Sequence, residues 1–147
     1  MIKLIDILNE AKQVGTLYHF TDTNGLLGIL KTNELWASET NVSHVSLTRD
    51  KQGWHVGTLD NAFRISLDGD KISNKYKIRP YSWGGDGIDR GAGSTESEEA
   101  VLTDKIVNIR DYIIEISANK ELYNKSYGYD IDDLNQIKQL YPDLKIV

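Results

Sequence analysis

Short apolar runs of the kind that form β-strands constrain the fold of this sequence more than any other feature. In Val42–Thr48, Val45 and Leu47 alternate with polar neighbours, and Phe63–Leu67 alternates in the same way, as strands with one buried face do. The second run ends in Asp68-Gly69-Asp70, which is a turn signal. Further strand-like runs are Leu17–Phe20, Glu34–Ala37, Ala100–Leu102, Tyr112–Ile116 and Leu144–Val147. The sequence therefore predicts a protein built largely from strands.

Apolar residues at a spacing of three to four positions predict helices in three places. The first lies within residues 1–14, and the second follows the N-cap candidates Thr21-Asp22-Thr23. The third runs from Asp130 to Leu140. Strands that predominate, with one helix inserted early and one late, predict an α+β fold with a mainly antiparallel split sheet or sandwich and flanking helices.

Length, charge and cysteine content narrow the class of protein. The 147 residues predict a single domain over 1–147, since a second core would leave each half near the marginal size limit. The net charge of −5 argues against broad non-specific binding to nucleic acid or to anionic membranes. Without cysteine there are no disulfides, thiolate zinc sites or cysteine nucleophiles. With no signal peptide and no apolar stretch long enough for a bilayer, we expect a cytoplasmic protein with no membrane partner.

The glycine- and tyrosine-rich segment over residues 73–97 has no apolar periodicity, which predicts a long loop. Loops of this length within a domain are more often functional than idle. Its glycines follow no apolar strand and open no apolar helix, so they match neither a P-loop nor a dinucleotide-binding fingerprint. The sequence also lacks the motifs of zinc proteases, calcium loops and serine hydrolases, and no metal site is predicted.

Polar residues near strand ends are the remaining candidates for chemistry. His19 lies inside the first predicted strand, where a lone histidine is usually structural. Ser46 and Thr48 share one face of a strand and precede Arg49, whose guanidinium suits a phosphate or a carboxylate. An edge strand with a surface arginine explains the same pattern.

A carboxylate cluster, Glu96-Ser97-Glu98-Glu99, runs directly into the apolar residues Ala100–Leu102. Charge runs are usually solvated loops. Carboxylates crowded at the start of a core strand repel one another, however, and this demands either exposure or a cationic partner.

These segments together resemble the ADP-ribosyltransferase fold, in particular DarT-type toxins and small bacteriophage proteins related to them. The resemblance covers most of residues 16–117. Leu17-Tyr18-His19-Phe20-Thr21, with the apolar helix after it, resembles the first motif of that family. Val45–Arg49 resembles the second motif, and Glu96–Leu102 resembles the third, in which the catalytic glutamate begins a strand.

The resemblance implies an NAD-dependent ADP-ribosyltransferase that uses NAD as its substrate. Glu99 would be the catalytic carboxylate, and a register error of one residue would give that role to Glu98. The residues that would bind NAD are His19, Thr21, Ser46, Thr48, Arg49 and Tyr76. In part of the family, a tyrosine after the second motif stacks on the nicotinamide ring. This sequence has no tyrosine at that place, so Tyr76 is included as a substitute. Tyr81 and Trp83 are alternatives for the same role.

The resemblance leaves the macromolecular acceptor open between a protein and a nucleic acid. The acidic net charge favours a protein, whereas Arg49, Lys51, Arg79 and Arg90 could line one face for DNA. A non-catalytic module of the same fold that binds a nucleotide or a partner protein is the alternative function. Transfer of an RNA 2′-phosphate to NAD would need several arginines and a second histidine in the cleft, which this chain supplies poorly.

Overall fold

A computed structural model describes residues 14–38, 44–52, 62–80, 98–121 and 131–147. Its helices are α1 (Thr23–Thr32), α2 (Gly69–Ser73) and α3 (Ile131–Leu140), with a 3-10 turn at Ile109–Asp111. Its strands are β1 (Thr16–Thr21), β2 (Glu34–Trp36), β3 (Val45–Thr48), β4 (Phe63–Asp68), β5 (Ile78–Pro80), β6 (Glu98–Val101), β7 (Lys105–Val107), β8 (Ile113–Ala118) and β9 (Lys145–Ile146). The expected α+β class is therefore confirmed.

The strands form a seven-stranded sheet in the order β5-β6-β3-β1-β4-β8-β9, and a separate pair, β2-β7. Neighbours in the large sheet pair antiparallel, except that β8 and β9 run parallel. The predicted mainly antiparallel sheet is confirmed at this level. The strand predicted within Leu144–Val147 is also present as β9, which lies at one end of the strand order.

One face of the large sheet carries the hydrophobic core. Register places Leu17 opposite Leu67, and Ile65 opposite Ile116, so these four fully buried side chains share a face. Helix α1 adds four buried residues to the same core cluster: Leu26, Leu27, Ile29 and Leu30. Helix α3 contributes Ile137, which is fully buried.

Helix α1 begins and ends at residues suited to those positions. The Asp22 side chain accepts a hydrogen bond from the backbone N–H of Gly25 at 2.7 Å, as an N-cap does. Asn33 ends the helix in the left-handed conformation, at φ 57°. The Arg110 guanidinium then donates to the backbone carbonyls of Leu30 and Leu140, which ties the last turns of α1 and α3 together.

Two local predictions need correction. The turn expected at Asp68-Gly69-Asp70 is the start of α2, because the Asp68 carboxylate accepts from the Lys71 N–H at 3.1 Å and caps a helix there. The loop expected over 73–97 contains β5, whose backbone pairs with β6. Pairing with a distant strand leaves no periodic signal in so short a segment.

Several other predictions lie outside the described residues. The predicted helix within 1–14 is one of them, since only its last residue is described. The other is the part of the predicted loop over 81–97, which includes Tyr81, Trp83, Arg90 and Glu96. Among the described residues, none of the helices combines the length and the apolar character that crossing a bilayer requires.

Candidate functional site

The three strands that carry the candidate residues are neighbours in the sheet, in the order β6-β3-β1. His19 lies on β1, Ser46 and Thr48 lie on β3, and the two glutamates begin β6. Residues that are far apart in sequence are therefore brought side by side. The sheet assembles these candidates into one region, although not all on one face.

The ladder between β1 and β3 opens next to His19. Within the described residues, β1 pairs with β3 at one position, Tyr18 with Thr48, whereas it pairs with β4 along its whole length. The His19 ring makes a hydrogen bond with the backbone of Ser46, the strand residue that lies beyond the last paired position. The His19 side chain thus replaces a backbone hydrogen bond between β1 and β3, and these two strands separate at this point.

His19 is neutral at neutral pH. The residue keeps partial exposure, yet burial of its ring lowers its pKa to about 4, and the hydrogen bond to the Ser46 backbone opposes that shift only in part. Because a bond to the Ser46 carbonyl uses the ring N–H, the other ring nitrogen is an acceptor. His19 therefore offers an uncharged acceptor at the opening between β1 and β3.

This lowered pKa predicts a pH-dependent stability. The unfolded chain binds a proton at His19 near pH 6.5, whereas the folded protein does so only near pH 4, so stability falls as the pH drops from 6.5 to 4. Over this range the His19 contribution to the free energy of unfolding falls by up to about 3 kcal/mol. Urea unfolding of the wild type and of His19→Gln across this range should give a shallower pH dependence for the variant. Parallel profiles would show that His19 is not held neutral.

Glu98 and Glu99 lie on opposite faces of the sheet. Register pairs Leu47 with Glu99 and Thr48 with Glu98. Because Tyr18 pairs with Thr48, the face of Leu47 and Glu99 is also the face of His19. Glu99 is 6% exposed and lies on the core face, where Leu47 stands between it and His19.

Glu99 forms an ion pair with Arg49. The Arg49 Nε donates to Glu99 Oε1 at 2.6 Å, and its Nη1 donates to the backbone carbonyl of Val14 at 2.7 Å. The Arg49 side chain is 46% exposed, so the pair has one buried and one solvent-facing partner. Arg49 thereby supplies the cationic partner that a carboxylate at the start of a core strand requires.

The opposite face of the β3–β6 ladder carries a second polar group. Glu98 Oε2 and Ser46 Oγ are buried there and have no hydrogen-bond partner among the described residues. Thr48 lies directly across from Glu98 and accepts from the backbone N–H of Asp50 through its Oγ1. Ser46 and Thr48 therefore share a face with Glu98 and not with Glu99.

The described contacts of Tyr76 do not involve His19. Its hydroxyl accepts from the backbone N–H of Val107 at 3.2 Å, and its ring packs against the hydrophobic core. Thr21, by contrast, ends β1 beside His19, and a Cβ added at Gly25 would lie 2.0 Å from its Oγ1. Glycine at position 25 is what allows α1 to approach Thr21 this closely.

A cavity of about 320 Å³ opens between the end of β1, helix α1 and strand β2. The described lining includes both His19 and Thr21, together with Gly25, Gly28 and Trp36. Sequence reasoning missed these last three residues. Two glycines three positions apart inside an amphipathic helix were the available signal, because a glycine in a helix costs stability. Among the described residues no group of three metal-ligating side chains forms a site beside this cavity or elsewhere.

Comparison with protein-family models and with curated proteins yields no match to this chain.

Proposed function

We propose that this protein is an NAD-dependent ADP-ribosyltransferase. The observation that carries the proposal is the juxtaposition of β1, β3 and β6 beside the opening of the β1–β3 ladder. The three sequence motifs that resemble those of ADP-ribosyltransferases lie on these three strands. A coincidental resemblance gives no reason for the motifs to meet in the folded chain.

The proposed reaction exchanges one bond at C1′ of the nicotinamide ribose. The bond from C1′ to the nicotinamide nitrogen breaks, and nicotinamide leaves with the bonding electrons. A nucleophilic atom of the acceptor forms the new bond to C1′ and loses its proton. The transition state has oxocarbenium character, so a nearby carboxylate lowers its energy.

Glu99 is our candidate for that carboxylate. It lies on the same face of the sheet as His19, and its burial strengthens its interaction with a developing positive charge. Arg49 orients it through Oε1. His19, as a neutral acceptor, would bind a ribose hydroxyl of NAD, and Thr21 lies next to it.

The described residues favour a protein over a nucleic acid as the acceptor. A DNA-binding face would use Arg49, Lys51, Arg79 and Arg90, of which Arg90 lies outside the described residues. Arg49 is engaged by Glu99 and by the Val14 carbonyl, whereas Arg79 lies exposed on β5 opposite Ala100, on the face of the sheet away from Glu99. A continuous cationic surface around the carboxylate is therefore not supported by these residues.

The Arg49–Glu99 ion pair also favours the second candidate, a non-catalytic module that binds a nucleotide or a partner protein. A carboxylate occupied by a guanidinium at 2.6 Å is less available to a substrate. In this case NAD or another nucleotide would bind without being cleaved.

The deciding experiment incubates the purified protein with NAD and a bacterial lysate. Nicotinamide release is followed, together with mass increments on protein and on nucleic acid. Release accompanied by a protein adduct supports the transferase with a protein acceptor. If no release occurs while NAD raises the melting temperature, the binding module replaces the transferase.

A further inference from the structure

The Val14–Gly15 segment, which precedes β1, is anchored to the start of helix α2. The Asp70 carboxylate, in the first turn of α2, accepts two hydrogen bonds through its Oδ1. The backbone N–H of Val14 donates at 2.6 Å, and that of Gly15 donates at 3.0 Å. The backbone N–H of Gly69 in turn donates to the Gly15 carbonyl at 2.9 Å. Three hydrogen bonds thus hold these two residues against the helix.

The packing at Gly69 shows how closely this segment approaches α2. A Cβ added at position 69 would collide with the Gly15 carbonyl oxygen and with the side chain of Val14. Glycine at this position is therefore what allows the hydrogen bonds to form. A segment held in this way presents the Val14 carbonyl in one place.

That carbonyl is one of two anchors of the Arg49 guanidinium. Arg49 Nη1 donates to the Val14 carbonyl at 2.7 Å, and Arg49 Nε donates to Glu99 Oε1 at 2.6 Å. Because a guanidinium is planar, hydrogen bonds from two of its nitrogens fix its orientation. The Arg49 side chain is 46% exposed, and an exposed side chain of this length otherwise samples many rotamers. The Val14 carbonyl therefore fixes where Arg49 presents its Nε to Glu99.

These contacts form one continuous path from Asp70 to Glu99. The path runs from Asp70 to Val14, from Val14 to Arg49, and from Arg49 to Glu99. Each step joins residues that are at least 35 positions apart in sequence, so only the folded chain creates it. The Glu99 carboxylate is buried, and its orientation follows that of the guanidinium to which its Oε1 is bound.

We infer that Asp70 is a positioning residue, which fixes the Glu99 carboxylate through the Val14 carbonyl and the Arg49 guanidinium. The inference deepens the proposed function. Its consequence for turnover rests on the transferase, whereas the link between Asp70 and Arg49 is a property of the fold. The two parts can therefore be tested separately.

The first test is the steady-state rate of nicotinamide release from NAD. We expect Asp70→Ala to lower kcat about ten- to a hundred-fold and to leave KM for NAD within about threefold, because a misplaced carboxylate weakens the transition state and not the bound substrate. Asp70→Asn retains an oxygen that accepts from both N–H groups, so its kcat should stay within a few-fold of the wild type. Asp70→Glu displaces the oxygen by one methylene and should lower kcat too, which provides a second variant if Asp70→Ala does not fold.

Asp68→Ala is the matched control for a structural effect on α2. The Asp68 carboxylate caps the same helix by accepting from the backbone N–H of Lys71 at 3.1 Å, and it makes no described contact with Val14 or Gly15. Both Asp68→Ala and Asp70→Ala should lower the melting temperature. Only Asp70→Ala should lower kcat.

The second test needs no turnover. Nuclear magnetic resonance of the full ¹⁵N-labelled chain follows solvent exchange of the Arg49 Nε–H group, whose signal is assigned by its loss in Arg49→Lys. In the wild type this group is bonded to Glu99 and should be protected from exchange. We expect Asp70→Ala to accelerate its exchange about tenfold or more, the loss that corresponds to one charge-assisted hydrogen bond. Asp70→Asn and Asp68→Ala should retain the protection.

The outcomes separate the inference from the proposed function. Equal losses of kcat in Asp68→Ala and Asp70→Ala would overturn the inference. So would a rise of KM alone in Asp70→Ala, a failure of Asp70→Asn to restore kcat, or unchanged protection of Arg49 in Asp70→Ala. A wild type that releases no nicotinamide, with protection that is lost in Asp70→Ala, supports the link and removes the transferase. Release by a protein whose Arg49 protection does not depend on Asp70 removes the link and leaves the transferase.

Discussion

Replacing Glu99 with glutamine is expected to reduce nicotinamide release from NAD by a hundred- to a thousand-fold, on the order of the loss seen when one electrostatic stabiliser is removed. The charge of the carboxylate is what lowers the energy of the oxocarbenium-like state. Glutamine retains the shape of the side chain and loses this charge. Initial rates of nicotinamide release for the wild type and Glu99→Gln provide the measurement.

The variant should remain folded. A glutamine Oε1 still accepts the hydrogen bond from Arg49 Nε, so the buried side chain keeps a partner. The loss of charge removes the ionic part of a pair whose arginine is 46% exposed, and we expect the free energy of unfolding to fall by about 1 kcal/mol. Urea unfolding of both proteins checks this.

Glu98→Gln is the matched control for Glu99→Gln. The two residues are adjacent in sequence and lie on opposite faces of β6, so comparing the two variants shows which face of the sheet carries the catalytic group. We expect Glu98→Gln to retain activity within a few-fold of the wild type. If Glu98→Gln loses activity and Glu99→Gln keeps it, the catalytic group lies on the face of Ser46 and Thr48. Full activity in both variants would contradict a catalytic role for either carboxylate.

Replacing Phe63 with alanine should destabilise the protein by about 3–5 kcal/mol, the usual range for a buried phenylalanine. Phe63 is fully buried on β4, the strand between β1 and β8, where it faces Thr21 on one side and Ala118 on the other. Truncation removes the transfer free energy of the ring and leaves a cavity that rigid strands on both sides cannot close. Equilibrium unfolding in urea, with its midpoint and slope, measures the effect.

Ile114→Ala is the control for Phe63→Ala. Ile114 also lies on a strand of the large sheet, but it is 55% exposed, and its truncation should change the free energy of unfolding by less than about 1 kcal/mol. Similar losses for the two variants would contradict the described core.

The burial of the residues of β4 could be predicted only in part from the sequence. The alternation in Phe63–Leu67 predicts a strand with one buried face, and the strand is present. The structure buries all five residues, including Arg64 and Ser66. The Arg64 guanidinium donates to the Lys51 carbonyl and lies 5.8 Å from the centroid of the Tyr18 ring, contacts that come from other parts of the chain. The alternation of apolar and polar residues predicts which face of a strand is buried in the core. It cannot predict which residues from distant parts of the chain cover the other face.

Local sequence signals account for most of the described helices and strands, though not for α2, β5 or β7. These signals act over a few residues, and the helices and strands form where the signals occur. They are the cap residues around Asp22, the apolar spacing in α1 and α3, and the β-prone runs in β1, β3, β4 and β8. Contacts between distant segments establish that β6, β3 and β1 are neighbours, that Glu99 rather than Glu98 shares the face of His19, and that Trp36 and Gly28 border one cavity. The physical reason is that strand order and register depend on pairing between distant segments, for which the chain carries no local signal.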